Sequence, residues 1–439
     1  MKVAFISLGC AKNLVNTEQM MALCQAAGYI VTGEPDGADV AVVNTCGFID
    51  SAKSEAINTI LELAPLKEEG RLGRLLVAGC LSQRYREEIL TELPEVDGLL
   101  GTGSYSDIVA ALERTMAGER PVLMGDIHHT VEDSPRLVST PFYTAYLKIA
   151  EGCDNRCSYC VIPSLRGAYR SRPQESLLEE AKVLAGRGVK ELIVIAQDIT
   201  RYGTDLYKER RLASLLRELC NLDFHWIRLH YLYPDEVDDA LIDVIAEEPK
   251  ILPYLDIPIQ HIDDGILKAM NRRGTGEEIR ALLGKLKARI PNLVLRTSLI
   301  CGLPGEGEAE FEALCDFLRK TTIQRAGIFP FSPEEGTPAA AMENQVDPDV
   351  ARRRTELLID LQSRVMDAWN ESLLGTSLEV LCEGIDRESG LYMGRSYADS
   401  PDVDGHVYFT AAGEVLPGQF VRVRVTGASD GDLTGERED

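Results

Sequence analysis

No apolar run in this sequence approaches the ~20 residues that a membrane-spanning helix requires, so no such helix is expected. The first residues, Met1 to Gly9, pass straight into a strand-like apolar stretch without a cleavage-type segment, so the expected compartment is the cytoplasm. Internal repeats and low-complexity tracts are absent as well. Basic charge is scarce: 46 Lys and Arg stand against 70 Asp and Glu, a formal net charge of −24. Such a surface repels the phosphate backbones that proteins usually bind by neutralising them, and its global field favours a basic protein partner. The same acidity taken alone would also serve solubility. Histidine is rare, with six in the chain, and His225 and His230 carry no signal beyond that of ordinary hydrogen-bonded core or rim residues.

What is present in number is cysteine, eleven residues in a large chain lacking an export signal, which reads as reduced thiols and metal ligands rather than disulfides. Cys153, Cys157 and Cys160 fall within eight residues, just after the apolar stretch Tyr143 to Ala150. Three thiolates on one loop can hold three corners of an iron-sulfur cluster and leave one iron open. The alternative, a structural zinc loop, needs four ligands, and neither His nor a fourth Cys lies nearby.

Upstream, short apolar runs alternate with helical patterns over the first ~120 residues, the sign of a parallel α/β sheet. Val3 to Leu8, Val40 to Val43, Leu75 to Ala78 and Leu99-Leu100 read as strands, with helices at Asn16 to Gly28, Ser51 to Leu63 and Gln83 to Leu93. Each of the first three strands runs into a cysteine: Cys10, Cys46 and Cys80. The carboxyl ends of strands line the ligand crevice of such sheets, so these thiols can converge on a second three-thiolate site. Buried core cysteines are the competing reading. Cys24, Cys220, Cys315 and Cys382 are read as core, and Cys301, at a strand end, as structural too.

Pro121 to Pro141 reads as a linker. Six strand candidates follow, Tyr143 to Ala150, Glu191 to Ala196, Trp226 to Leu232, Tyr254 to Ile259, Leu293 to Ile300 and Arg325 to Phe331, with helices between them. Six units fall short of the eight that close a full barrel, so a (β/α)6 crescent with an open side is expected. Pro348 to Leu374 reads as a long amphipathic helix with Leu357, Leu358, Leu361, Val365 and Trp369 at helical spacing. Short Val- and Tyr-rich strands separated by turn residues then predict a small antiparallel barrel, with residues 429–439 frayed. The expected domain ranges are 1–125, 136–370 and 373–436.

The spacing from Cys153 to Cys160, with Tyr159 before the last thiol, resembles the signature of radical S-adenosylmethionine enzymes. Together with the N-terminal cysteine triad and the C-terminal small barrel, the whole chain resembles the radical S-adenosylmethionine methylthiotransferases. That resemblance implies two 4Fe-4S clusters, one on Cys10, Cys46 and Cys80 that handles the inserted sulfur and one on Cys153, Cys157 and Cys160 that makes the radical, with S-adenosyl-L-methionine as cosubstrate. The small barrel resembles the TRAM domain, which contacts the macromolecular substrate in this family.

The runs Lys148 to Cys153, Ile162 to Gly167, Ala196 to Gly203, Leu255 to His261 and Ser400 to Gly405 resemble the branch that modifies a ribosomal protein, most sharply at Gln260-His261. That branch acts on the β-carbon of an aspartate in a basic small-subunit ribosomal protein, a partner the negative charge also suits. An electron donor and a sulfur donor are implied. Because an aspartate β-hydrogen is not acidic, a carbon radical rather than a base must remove it, and the cofactors carry the hard step. The substrate carboxylate calls for a cation; the candidates are Arg166, Arg170, Arg172 and Lys148, which could equally serve as salt bridges. Leu299 to Glu306, with Gly302 and Gly305, resembles the superfamily's cosubstrate-contacting glycine motif, Cys301 standing where Val is more usual. Gln197 and Asp198 either contact the cosubstrate or merely end a strand. Two rival readings are a transfer-RNA adenosine methylthiotransferase, which predicts a basic small barrel where this one carries Asp386, Glu388, Asp399, Asp402, Asp404 and Asp430, and a non-catalytic iron-sulfur carrier.

Overall fold

Val, Ile, Leu and Ala fill both faces of the early strands, and only a sheet covered on both sides can bury them. The computed structural model, which describes residues 1–129 and 135–438, builds that sheet from six strands. They are β1 (Lys2–Ser7), β2 (Ile30–Thr32), β3 (Ala38–Thr45), β4 (Leu72–Gly79), β5 (Gly98–Gly103) and β6 (Val122–Gly125), all parallel, in the order β2-β1-β3-β4-β5-β6. Separate apolar clusters pack its two faces, one around Ile60, Leu75 and Val77, the other around Met20, Val42 and Leu76. The helices that matter to the site are α1 (Ala11–Ala26), α2 (Asp50–Glu68) and α3 (Cys80–Tyr85). β6 corrects the linker reading: Val122 and Leu123 pair with Leu99 and Leu100. Four residues between breakers are too few to show a period. Residues 130–134 of that expected linker lie outside the described residues.

The second sheet contains β7 (Thr144–Lys148), β10 (Glu191–Ile195), β11 (Trp226–Leu229), β12 (Ile251–Asp256), β13 (Val294–Cys301) and β14 (Arg325–Pro330), neighbours in chain order and all parallel. β7 and β14 are its two ends, which gives the open crescent. A separate antiparallel pair, β8 (Ala150–Glu151) and β9 (Arg170–Ser171), draws together the two ends of the cysteine-bearing loop between them. Cys24, Cys220, Cys301, Cys315 and Cys382 are buried, as expected of core residues.

The helix Pro348–Ser372 leads into the third unit, and it buries Ala351, Arg354, Thr355, Leu358 and Gln362. Leu357, expected on that face, is 60% exposed; consecutive residues lie about 100° apart on a helix, so Leu357 and Leu358 cannot both face the core. β15 (Ser377–Ile385), β16 (Tyr392–Ser396), β17 (Val407–Thr410), β18 (Phe420–Ser429) and β19 (Asp432–Arg437) close into a barrel. The tail read as frayed is therefore the closing strand: β19 pairs antiparallel with β18 and parallel with β17, so the barrel is not wholly antiparallel. Polar, acidic side chains on an outward face hid it, because only Leu433 and Gly435 turn inward.

The segment Ser396 to Asp404 runs from the small barrel against the crescent. Ser400 Oγ lies 3.0 Å from His230 Nε2, Tyr254 donates to Asp404 at 2.6 Å, and Arg325 meets Asp399 at 2.7 Å. Beside it Glu191, wholly buried, is clasped by Arg228 at 2.8 Å and Arg395 at 2.6 Å.

Candidate active site: two cysteine triads and the chamber beside them

Cys10, Cys46 and Cys80 follow β1, β3 and β4, three strands adjacent in the sheet, so one edge carries all three thiols. Glycines allow the loops to close on one another. A Cβ on Gly9 would stand 2.7 Å from Cys46 Cβ, and one on Gly47 would stand 2.9 Å from the Cys80 carbonyl carbon. Gly79, at φ 97°, turns the chain so that Cys80 opens α3. Burial, then the neighbouring Cys80, pushes the Cys46 thiol up to about 11. Desolvation opposes ionisation of Cys10, but Lys12 and Arg166 outweigh it and lower that thiol. Arg166 Nη2 points at Cys80 Sγ from 3.4 Å.

The second triad is held by its backbone. Cys153 N–H donates to Gly167 O at 3.1 Å, Ser158 N–H to Met270 O at 2.9 Å, and Gly152 has no room for a Cβ, which would lie 2.1 Å from Ala168 O. Two amides point at sulfur: Asn155 N–H to Cys153 Sγ at 3.5 Å and Ile162 N–H to Cys160 Sγ at 3.4 Å. Arg272, buried over the Tyr233 ring, aims Nη1 at Cys157 Sγ from 3.9 Å. Burial raises the Cys153 thiol to about 11 and the Cys160 thiol further. No three His, Cys, Asp or Glu side chains among the described residues gather tightly enough around one point for a single metal ion. Three thiols at each site rather than four ligands, faced by cations and amides that offset thiolate charge, suit an iron-sulfur cluster with one open iron better than a zinc site.

Cys80, Val161, Leu165 and Phe48 form one apolar contact, which brings the two triads to a common boundary. Beside it a chamber of about 630 Å³ opens between Phe48 to Ser51 on one unit and Tyr159, Gln260, Ser298 and Ile300 on the other. Glu334 fastens its edge, taking Lys53 at 3.0 Å and Arg84 at 2.8 Å.

The other sequence-predicted residues divide. Tyr159 and Gln260 line the chamber. His261 is buried, accepts from Asp263 N–H at Nδ1, and turns Nε2 toward Glu306 at 3.5 Å. Gly302, whose N–H reaches Glu306, faces Ala351, where a Cβ would stand at 2.3 Å; Gly305 donates to Asn344 O. Gln197 holds Glu151, and Asp198 accepts from Asn155 at 2.9 Å. Lys148 and Arg166 share Glu151, at 2.9 and 3.2 Å. Burial alone would raise the Glu151 carboxyl, yet these two cations hold it well below the carboxylate range. Arg172 sits on Glu180 at 2.7 Å, and Arg170 holds the Ala168 and Arg166 carbonyls. Sequence reasoning missed Lys12, Asn13, Asn16, Arg84, Arg272 and Glu334. Asn13 and Asn16, which accept from Arg166 at 3.0 and 2.8 Å, had a signal, three residues apart on the helix that follows Cys10; for Arg272 and Glu334 the reason is tertiary contact alone.

Family models match in three places: "Uncharacterized protein family UPF0004" over residues 2–101, the Radical SAM superfamily over 147–318, and the TRAM domain over 374–437. A protein of Lachnoclostridium phytofermentans named ribosomal protein uS12 methylthiotransferase RimO is 49% identical and covers 100% of both chains. A protein of the same name from Geobacter sulfurreducens is 50% identical over 99% of this chain and 98% of its own. The chain belongs to the ribosomal protein uS12 methylthiotransferase family. A solved radical S-adenosylmethionine methyltransferase, TsrM of Kitasatospora setae, superposes with a TM-score of 0.59 at 13% identity, covering 77% of this chain and 76% of its own, a likeness of fold alone. In this uS12 methylthiotransferase family member, the matched regions coincide with the first sheet, the crescent and the small barrel.

Proposed function

We propose that the chain adds a methylthio group to the β-carbon of an aspartate in ribosomal protein uS12, acting in the cytoplasm as a radical S-adenosylmethionine enzyme. The observation that carries this reading is the meeting of two cysteine triads across the Cys80–Val161 contact, beside one chamber. Cys10, Cys46 and Cys80 would hold one 4Fe-4S cluster, and Cys153, Cys157 and Cys160 the other. When bound, the clusters would pass on the reducing electron and carry the inserted sulfur, and S-adenosyl-L-methionine would supply the methyl group and the carbon radical, with an electron donor and a sulfur donor feeding them. The chain's own part is placement. Arg166, Arg272 and the Asn155 and Ile162 amides offset thiolate charge. Glu334 clamps the chamber edge, and Phe48, Phe329 and Phe331 give it apolar walls. Tyr159, Gln197, Asp198, Gln260, His261, Gly302 and Gly305 are the residues proposed around the cosubstrate. The three units, 1–125, 136–370 and 373–436, would hold sulfur, make the radical and meet the substrate.

Mass spectrometry of ribosomal protein uS12 from cells with and without this gene tests the reading. The aspartate should carry the mass of SCH3 in place of H only when the gene is present, and Cys80→Ser should abolish it. Unchanged uS12 alongside lost methylthiolation of transfer RNA would refute the substrate.

A further inference from the structure

Resting on the reading above, we infer that Lys12 binds the side-chain carboxylate of the target aspartate. Lys12 stands two residues after Cys10 in the first turn of α1 and is 9% exposed. Its ammonium lies 3.3 Å from the centroid of the Tyr231 ring, and among the described residues it meets no carboxylate within ion-pair distance. Tyr231 follows β11 and Asp256 ends β12, so the ammonium reaches the carboxyl ends of the crescent's central strands, where parallel sheets take their ligands. Asp256, the nearby acid, is already held by Arg296 at 2.9 Å.

Tyr231 itself adopts φ 66°, a left-handed backbone that a bulky residue rarely accepts, fixed by Ile199 N–H donating to its carbonyl at 3.1 Å. Strain of that kind persists where the surroundings enforce it and clusters at ligand sites. Here it presents a ring face that stabilises a cation without neutralising it. Its opposite charge is the Cys10 thiol, which the cluster would engage, so a carboxylate arriving with the substrate would give this buried ammonium the direct ion pair it does not make within the described residues.

The alternatives are occupied. Lys148 and Arg166 are committed to Glu151 and Arg172 to Glu180. Arg170 holds the Ala168 and Arg166 carbonyls, in a cleft it shares with Lys148 and Arg166 beside Asp107 and Asp126. In aspartate the β-carbon is bonded directly to the carboxylate carbon. A carboxylate gripped by Lys12 therefore fixes the reacting carbon one bond away, on the side of the chain that carries Cys10.

The test is anaerobic binding of fluorescently labelled uS12, carrying either the target aspartate or asparagine, to the cluster-loaded enzyme. Wild type should prefer the aspartate form roughly 10- to 100-fold, the worth of a charge-assisted hydrogen bond. Lys12→Met should erase that preference while retaining iron at both sites, and Lys12→Arg should restore most of it. A preference that survives in Lys12→Met, one lost only together with first-site iron, or none in wild type overturns the assignment. Wild-type enzyme that leaves uS12 unmodified would instead overturn the functional reading on which it rests.

Discussion

At the scale of single residues, Arg166 is the most heavily used side chain of the site. It spans Glu151, Asn13, Asn16 and Cys80, and so joins the helix after the first thiol to the short helix Ile162–Arg166 after the second triad. Arg166→Met would leave Glu151 ion-paired to Lys148 alone and Cys80 without its cation. Removing one partner of a buried ion pair costs about 3–5 kcal/mol, so urea denaturation should register a loss of that size. First-site iron should pass to a chelator several-fold faster than in wild type, while second-site iron is extracted at the wild-type rate. Equal extraction rates at the first site would show that the cation does not support Cys80.

At the scale of elements, β19 completes the small barrel with inward Leu433, so a chain ending at Ser429 should lose at least about 2 kcal/mol, the usual order for deleting a buried Leu. Limited proteolysis would then cut within 377–429; unchanged resistance would mean that the barrel stands without its last strand. This strand also marks the limit of what sequence could give. Both parallel sheets were legible because strands buried on two faces are apolar throughout, and the six thiols because each sits at a strand end or on a short loop. β2 and β6 were not, being three and four residues long, nor was β19, whose outward face is polar. Nor were the partners of Lys12, Arg272 and Glu334, since each is made by a segment remote in the chain: Tyr231, Cys157, and Lys53 with Arg84.

At the scale of the whole molecule, buried charge ties the units together. Glu334 joins the first sheet to the crescent, Arg136 joins Glu18 to Glu180, and Glu191 joins crescent to small barrel through Arg228 and Arg395. Burial alone would raise the Glu191 carboxyl, but Arg395 and Arg228 bring it down to about 2. A carboxyl lowered on folding contributes stability that is complete above its unfolded value, near 4.3, and fades as pH falls from there through about 2. Its contribution is on the order of 3 kcal/mol. Acid titration of thermal stability should therefore show a decline across that window, and Glu191→Gln should flatten it while lowering stability at neutral pH. A variant whose acid profile matches wild type would place the proton uptake elsewhere.

The segment from Ser396 to Asp404 has a consequence for how a ribosomal protein reaches the chemistry. Keyed beneath the crescent by His230, Tyr254 and Arg325, it leaves the small barrel no hinge to swing on without unpairing buried ions. A ribosomal protein held by that barrel would have to bring its own target loop across a stationary frame to the chamber. The shape of the guest, and not the travel of the enzyme, would then decide which aspartate is reached.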